Sequence, residues 1–208
     1  MISLLVTFVS YFVGFFVGRW RQRLSENQGE AAVRRLLATQ FSSTAYHLLN
    51  NVTLPVKDGT TQIDHILVTR FGIFVIETKH YTGWLFANPS SPNWTQVIYG
   101  KHFKFQNPLH QNRKHVKAVE KLLDFVPPEH IQSVVVFTGD ATFKTPRPEG
   151  VRTLGDLASH IKSHQTEVLS ENRLHFCVGR LEFCRKALTQ QTDVEHVAYL
   201  RRKFGDVP

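Results

Sequence analysis

Two β-rich runs joined by a short turn place the strongest constraint on how this chain can fold. Residues 63–69 and 72–79 are dominated by Ile, Val, Leu, Phe and Thr, and a three-residue turn ending in Gly72 separates them. Branched and aromatic residues favour strands, and two such runs around a short Gly-containing turn predict an antiparallel hairpin. We therefore expect these residues to form neighbouring strands of one sheet.

The open end of this hairpin carries two acids and a lysine. Side chains alternate between the faces of a strand, so Glu77 and Lys79 point to the same side, and the hairpin brings Asp64 beside them. Two carboxylates and an ammonium at one sheet edge are typical of a site that binds a divalent cation and attacks a phosphodiester. A surface ion pair on a strand would give the same spacing, so the motif alone leaves both interpretations open.

The divalent cation expected at such a site is Mg²⁺ or Mn²⁺. Mg²⁺ commonly binds through one or two carboxylates and completes its shell with water and substrate oxygens. Asp64 and Glu77 can supply the carboxylates, and the carbonyl of Thr78 is a further candidate ligand. Lys79 can hold the attacking water or contact the phosphate.

The order of the remaining segments predicts an α/β fold, an α+β arrangement with a mixed sheet flanked by helices. A helix is expected from Glu26, capped by Ser25, and a long helix is expected after Pro108. The predicted helices are residues 26–40, 109–125, 154–164, 180–189 and 194–204. The predicted strands are residues 46–54, 61–69, 72–79, 83–86 and 131–138, with a hairpin over 94–105 and a turn over 55–59.

The N-terminal segment predicts a single membrane-spanning helix. Residues 2–17 carry no charge, and Arg19, Arg21 and Arg23 follow. A secretory signal peptide would have its positive charge before the apolar run and a small-residue cleavage site after it. By the positive-inside rule, the N-terminus lies outside and the rest of the chain in the cytoplasm, at the inner membrane. A cleaved signal peptide and a buried core helix remain alternatives.

Small residues recur at every fourth position of this segment. Ser10, Gly14 and Gly18 would form one stripe on a helix spanning residues 2–18. Stripes of this kind let two membrane helices approach closely, so they predict a homodimer in the membrane, although they also arise by chance.

The charge of the chain favours an anionic partner. The 208 residues carry a formal net charge of +8, which suits nucleic acid or an anionic membrane surface. After residue 100 the basic residues are concentrated, and Glu120 is the only acid between Lys101 and Lys121. Such cations position a nucleic-acid backbone without reading its sequence, while a solvated helix face is the plainer explanation. The predicted contact residues are Lys101, Lys104, Arg113 and Lys114.

Two functional classes find no support in the sequence. Neither GxxxxGK[ST] nor GxGxxG is present, which argues against a nucleotide-driven motor. The two cysteines, Cys177 and Cys184, fit no zinc or redox spacing.

Taken in order, several short motifs resemble one known family. The motifs are Gly29-Glu30, Ile63-Asp-His-Ile66, the run from Gly72 to Lys79, Tyr81-Thr-Gly83, Trp94-Thr-Gln96 and Asn107-Pro-Leu-His-Gln-Asn112. Between Gly29 and Phe125 the chain is similar to the nuclease-related domain (NERD) family of the PD-(D/E)xK nuclease superfamily. Ile63 stands where the name of the superfamily has proline.

The resemblance implies a PD-(D/E)xK restriction-endonuclease-like core that hydrolyses phosphodiester bonds. It places five residues in the active site: Glu30, Asp64, Glu77, Lys79 and Gln111. His65 follows Asp64 in the strand and is expected to face the opposite side of the sheet.

The combined prediction is a membrane-anchored, divalent-metal-dependent nuclease acting on nucleic acid, with DNA favoured. A catalytically silent module of the same fold that binds nucleic acid or a partner at the membrane is the alternative. The predicted regions are an anchor at 1–20, a basic linker at 21–28, the nuclease-related core at 29–145 and a helical C-terminal extension at 146–208.

Overall fold

The computed structural model describes residues 28–187, together with residues 192, 196–199 and 202. The predicted anchor, with the Ser10, Gly14 and Gly18 stripe, lies outside the described residues, as do Ser25, Glu26 and most of the linker. Within the described ranges, no helix has both the length and the apolar content needed to cross a membrane.

The described chain forms four helices and nine strands between residues 28 and 187. In chain order these are α1 (28–40), β1 (Tyr46–Val56), β2 (Gly59–Thr69), β3 (Gly72–Lys79), β4 (Trp84–Phe86), β5 (Asn93–Ile98), β6 (Lys101–Gln106), α2 (Pro108–Leu122), β7 (Ile131–Phe137), β8 (Thr142–Phe143), β9 (Val151–Thr153), α3 (Leu154–Lys162) and α4 (Glu171–Cys184). A short 3-10 turn, Pro128–His130, precedes β7.

The main sheet has five strands in the order β1-β2-β3-β7-β9. The first three are antiparallel, whereas β3 pairs with β7, and β7 with β9, in parallel. The predicted hairpin is therefore confirmed, and so is the mixed α+β architecture. Pro55 lies inside β1 rather than in the following turn, which is compatible with a position on an edge strand.

Helices cover both faces of this sheet. On one face, α1 and α3 pack against β2, β3 and β7, with Val33, Leu37 and Leu157 fully buried. On the other face, α2 and α4 pack against β1, β2 and β3, with Val119 and Leu181 fully buried. The odd residues of β3 face α2, and the even residues face α1, as the strand alternation requires.

A second sheet of four strands, in the order β6-β5-β4-β8, follows the end of β3. Its inner face carries Leu85 and Trp94, which pack on Phe137 and Val151 of the main sheet. Trp94 stacks on Phe137 with ring centroids 6.2 Å apart. Strands β4, β5, β6 and β8 thus form a layer of their own instead of extending the main sheet.

The region after residue 145 completes the core. β9 adds a strand to the main sheet, and α3 and α4 bury apolar side chains on its two faces. The helix predicted at 180–189 was misplaced, because Ser170 caps an earlier start by accepting from the backbone N–H of Arg173. The chain leaves the helix at Arg185, and the N–H of Lys186 donates to the carbonyl of Thr53 in β1. In the helix predicted at 194–204, residues 196–199 and 202 are helical and the others lie outside the described residues.

Candidate active site

The candidate site lies where β2 and β3 separate. Their antiparallel ladder ends at the pair His65–Ile76, and Asp64 and Glu77 are the next residues on the two strands. Beyond this point the Asp64 carboxylate replaces the ladder, since its Oδ2 accepts a 2.6 Å hydrogen bond from the backbone N–H of Thr78. β3 remains paired with β7 as far as Lys79, so β7 fixes the end of β3 that carries Glu77 and Lys79.

Glu77 lies at the centre of a buried network of charges. Lys79 Nζ is 2.7 Å from Glu77 Oε1, and His115 Nε2 of α2 is 3.1 Å from Glu77 Oε2. Burial alone would raise the pKa of the Glu77 carboxyl, but Lys79 and His115 outweigh it and lower the pKa from 4.5 to about 2. Glu77 is therefore an ionised carboxylate at neutral pH although only 2% of its side chain is exposed.

Lys79 is charged for the reciprocal reason. Burial would lower the pKa of its ammonium, but Glu77, and to a smaller extent Asp64, raise the pKa above its ordinary value. An ammonium held in this way acts as a fixed positive charge and not as an acceptor of protons.

The pKa of Asp64 is shifted in the opposite direction to that of Glu77. Burial raises its pKa well above the ordinary value of 3.8, and the charges of Glu77 and Glu30 raise it further. Lys79 and the N–H of Thr78 oppose the rise without cancelling it. The ionised form of Asp64 is therefore disfavoured, by burial first and by the neighbouring carboxylates second, and a bound cation would favour it.

Close packing of α1 against the strand ends brings Glu30 into this field. A Cβ on Gly29 would lie 2.6 Å from Thr138 Oγ1 and 3.0 Å from His80 Cβ, both within clashing range. Only glycine lets the helix approach so closely. The neighbouring Glu30 then lies near enough for its charge to act on Asp64.

Two asparagines fix α2 against the sheet. Asn107 caps α2, because its side-chain oxygen accepts from the N–H of Leu109. Its side-chain amide donates to the carbonyls of Pro89 and Ser91 in the loop between β4 and β5. Asn112 is fully buried, and its amide donates to the carbonyl of Val75 at 2.9 Å and to the side chain of Ser133 at 2.9 Å. This anchoring sets the distance of α2 from the end of β3.

α2 presents Gln111 and His115 one turn apart on the same face. Both line a cavity of about 380 Å³, to which Thr61, Gln106 and Lys114 also contribute. His115 Nδ1 lies 2.7 Å from Thr61 Oγ1, so the ring joins Thr61 on one side to Glu77 on the other. The cavity therefore ends at the ring that contacts Glu77.

His115 is the site residue that sequence reasoning missed. In the sequence it is one histidine within a basic run, and its spacing of four from Gln111 on a predicted helix is the signal that would have singled it out. Gln111, predicted as a site residue, lines the cavity beside His115.

Of the predicted contact residues, Lys114 is exposed on α2 and lines the same cavity. Lys101 and Lys104 are exposed on β6, and Arg113 is exposed on α2. His65 faces away from Glu77, as the alternation predicted: its Nδ1 lies 2.7 Å from Asn50 Oδ1. Burial, followed by the charge of Arg34, lowers the pKa of His65 to about 4.

We call the place where β2 and β3 separate, with Asp64, Glu77 and Lys79, the fork. Its donor set fits a magnesium-type cation held by few protein ligands. In the part of the chain that the structure describes, no three His, Cys, Asp or Glu side chains form a metal-holding cluster. Mg²⁺ needs only one or two carboxylates, with water as the remainder. Glu77 Oε2 is buried, and His115 Nε2, 3.1 Å away, is its close polar contact among the described residues. A buried carboxylate oxygen left in this state is a suitable cation ligand.

Comparison with known proteins identifies two similarities. The family described as "Nuclease-related domain" (NERD) matches residues 25–138. An uncharacterized protein of Bacillus anthracis is 34% identical over 196 residues, which cover 91% of this chain and 88% of that protein. The matched family region contains α1, the strands that carry Asp64, Glu77 and Lys79, β4 to β6 of the second sheet, α2 and β7.

Proposed function

Because this chain belongs to the nuclease-related domain family, within the PD-(D/E)xK-like nuclease superfamily, we propose that it is a divalent-metal-dependent nuclease that hydrolyses phosphodiester bonds, with DNA as the substrate. The observation that carries the proposal is the fork. Asp64 and Glu77 occupy opposing positions where the ladder opens, and Lys79 contacts Glu77. A surface ion pair, the competing interpretation of the motif, would not be buried in this way.

Asp64 and Glu77 would hold the cation, Mg²⁺ or Mn²⁺, with the carbonyl of Thr78 as the further ligand predicted from the sequence. When bound, such an ion supplies Lewis-acid stabilisation of phosphate charge and a more acidic water. The raised pKa of Asp64 supports this assignment, because burial and the neighbouring carboxylates disfavour its ionised form and a divalent ion would favour it.

Lys79 is the electrostatic partner of the scissile phosphate in this proposal. Its raised pKa keeps the ammonium charged, so it stabilises developing negative charge without accepting a proton. The 2.7 Å contact with Glu77 Oε1 fixes the ammonium in one orientation.

His115 is a positioning residue, since it acts through Glu77. We expect His115→Phe to lower kcat by about tenfold or more, because one Glu77 oxygen loses its only side-chain neighbour on α2. His115→Gln keeps a donor and is expected to recover most of the rate. Steady-state cleavage by both variants, with thermal melting as the folding control, checks this; equal losses would reduce His115 to a packing role.

Cation binding should depend on pH through Asp64. Its folded-state pKa is raised, so without a divalent ion its ionisation opposes folding as pH rises through that pKa. Added Mg²⁺ should therefore raise the melting temperature more at neutral pH than near pH 4, and cleavage should fall as acidification protonates Asp64. Calorimetry across pH checks this, and Asp64→Asn should abolish the pH dependence of the Mg²⁺ effect.

We also propose that residues 2–18 anchor the protein in the inner membrane, with the catalytic domain in the cytoplasm and self-association through Ser10, Gly14 and Gly18. The uncharged run followed by three arginines supports this topology. Protease protection in sealed vesicles of known orientation tests it. A catalytic domain found on the extracytoplasmic side would overturn the orientation.

The direct test of the proposed function is divalent-dependent cleavage by the full-length protein in detergent. We expect plasmid and linear DNA to be cut with Mg²⁺ or Mn²⁺ and to remain intact with EDTA. RNA of matched sequence, assayed in parallel, tests the choice of DNA. No cleavage of either nucleic acid with any divalent ion would overturn the proposal.

The alternative is a silent module of the same fold that binds nucleic acid or a partner at the membrane. For that function we expect salt-sensitive binding of nucleic acid without cleavage, unchanged by Glu77→Gln.

A further inference from the structure

The outer face of the second sheet exposes two aromatic side chains. Trp84 is 52% exposed and Phe86 is 40% exposed, and they lie two residues apart on β4, so they point to the same side. The inner face of the same strand carries Leu85, which is fully buried. On β4, the exposed side is therefore the one that carries Trp84 and Phe86.

Cations surround these aromatics on the same face. The register places Phe86 level with Thr95 and Lys104, and Trp84 level with Val97 and His102. Directly after β8, Lys144 places its Nζ over the Trp84 ring, 4.5 Å from the ring centroid. Residues 80–119 contain no Asp or Glu, so the charge of this surface is complementary to a polyanion.

The face leads to the candidate active site. Gln106 ends β6 on the same side as His102 and Lys104 and lines the cavity that contains Gln111 and His115. Trp84 follows Lys79 by five residues, so their Cα atoms lie within about 18 Å of each other. A strand lying on the sheet can therefore continue past Gln106 towards Glu77.

We propose that this face binds single-stranded nucleic acid, with bases stacked on Trp84 and Phe86 and phosphates contacting Lys104 and Lys144. Exposed aromatics on an open sheet with flanking cations suit unpaired bases, whereas the bases of a duplex are stacked on one another and not available. The inference rests on the proposed function and narrows its substrate to single strands or unpaired ends.

Binding to the full-length protein carrying Glu77→Gln, in detergent and EDTA, separates affinity from cleavage. The probe is a labelled oligothymidine of about 15 nucleotides, compared with the matched duplex. We expect tighter binding of the single strand, a loss of about tenfold or more for Trp84→Ala and for Phe86→Ala, and near-normal binding for Trp84→Phe. Lys104→Gln should reduce the slope of log K against log salt by about 0.7.

Phe183→Ala is the matched control, because Phe183 is 89% exposed on α4, outside this sheet. Unchanged single-strand affinity in Trp84→Ala and Phe86→Ala would overturn the inference, as would a preference for the duplex. The fluorescence of Trp84 is obtained by subtracting the emission of Trp84→Phe from that of the parent protein. A response of this fluorescence to phosphatidylserine vesicles but not to oligothymidine would also overturn the inference. Single-strand binding that depends on Trp84 and Phe86, without cleavage by the wild type, would contradict the proposed nuclease and support this inference. Cleavage that Trp84→Ala and Phe86→Ala leave unchanged would support the nuclease and contradict this inference.

Discussion

Glu77→Gln is expected to reduce cleavage by about a hundredfold or more while the fold stays intact. Glutamine has the same shape, but it lacks the charge that binds a divalent cation and holds the Lys79 ammonium at 2.7 Å. Single-turnover cleavage at saturating Mg²⁺ measures the loss. Isothermal titration with Mg²⁺ should show weakened binding, which ties the loss of rate to the loss of a ligand.

Glu167→Gln is the matched control for this variant. Glu167 is an exposed acid that pairs with Arg70 at 2.6 Å, at the closed end of the same hairpin. Its replacement should leave cleavage within about twofold, because an exposed ion pair contributes little. If Glu77→Gln cleaves as well as this control, the fork is not the active site.

Lys79→Met is expected to reduce cleavage by a factor similar to that of Glu77→Gln and also to destabilise the protein at neutral pH. Methionine has a side chain of similar length but no charge, so Glu77 and Asp64 would face one another without the ammonium of Lys79. The displacement of the Glu77 pKa from 4.5 to about 2 corresponds to about 3 kcal/mol of stability, much of which depends on Lys79. Urea denaturation at pH 7 measures the loss.

The pH dependence of this loss has a definite sign. In the wild type, the folded-state pKa of Glu77 is depressed, so its stabilisation is present above pH 4.5 and lost as pH falls towards about 2. In Lys79→Met that pKa rises, so the variant and the wild type should converge in stability as the pH is lowered through this window. A gap that stayed constant with pH would indicate lost packing instead of lost charge.

Lys162→Met provides the control for the lysine variant. Lys162 is exposed on α3 and hydrogen-bonds Gln40 Oε1 at 2.8 Å. We expect a change in the free energy of unfolding of less than about 1 kcal/mol and unaltered cleavage.

Local patterns were sufficient for the hairpin and its charged end. Strand alternation within residues 63–79 determines that Glu77 and Lys79 share a face, and hairpin pairing places Asp64 opposite Glu77. The start of α2 at Pro108 was equally readable, since proline is favoured at the first helical position. These features depend on residues that are close together in the chain.

Other features depend on contacts between distant segments. The sequence prediction misplaced α4, which begins after the Ser170 cap, and the chain that follows it is tied to β1 by the hydrogen bond from the N–H of Lys186 to the carbonyl of Thr53. Nor could it separate Trp84, which is half exposed, from Trp94, which is buried, since which face of the second sheet is covered depends on its packing against β7 and β9.

The sequence by itself thus determined the fork and its Asp64, Glu77 and Lys79, and the family resemblance added Glu30, whereas only the tertiary structure brought His115 to the fork and showed how α1 carries the charge of Glu30 there. The reason is physical. Alternation along a strand is a property of neighbouring residues, but the approach of α1 depends on the fit of Gly29 against Thr138, and that of α2 on the bonds of Asn112 to the sheet. Those contacts exist only after both faces of the sheet have been packed.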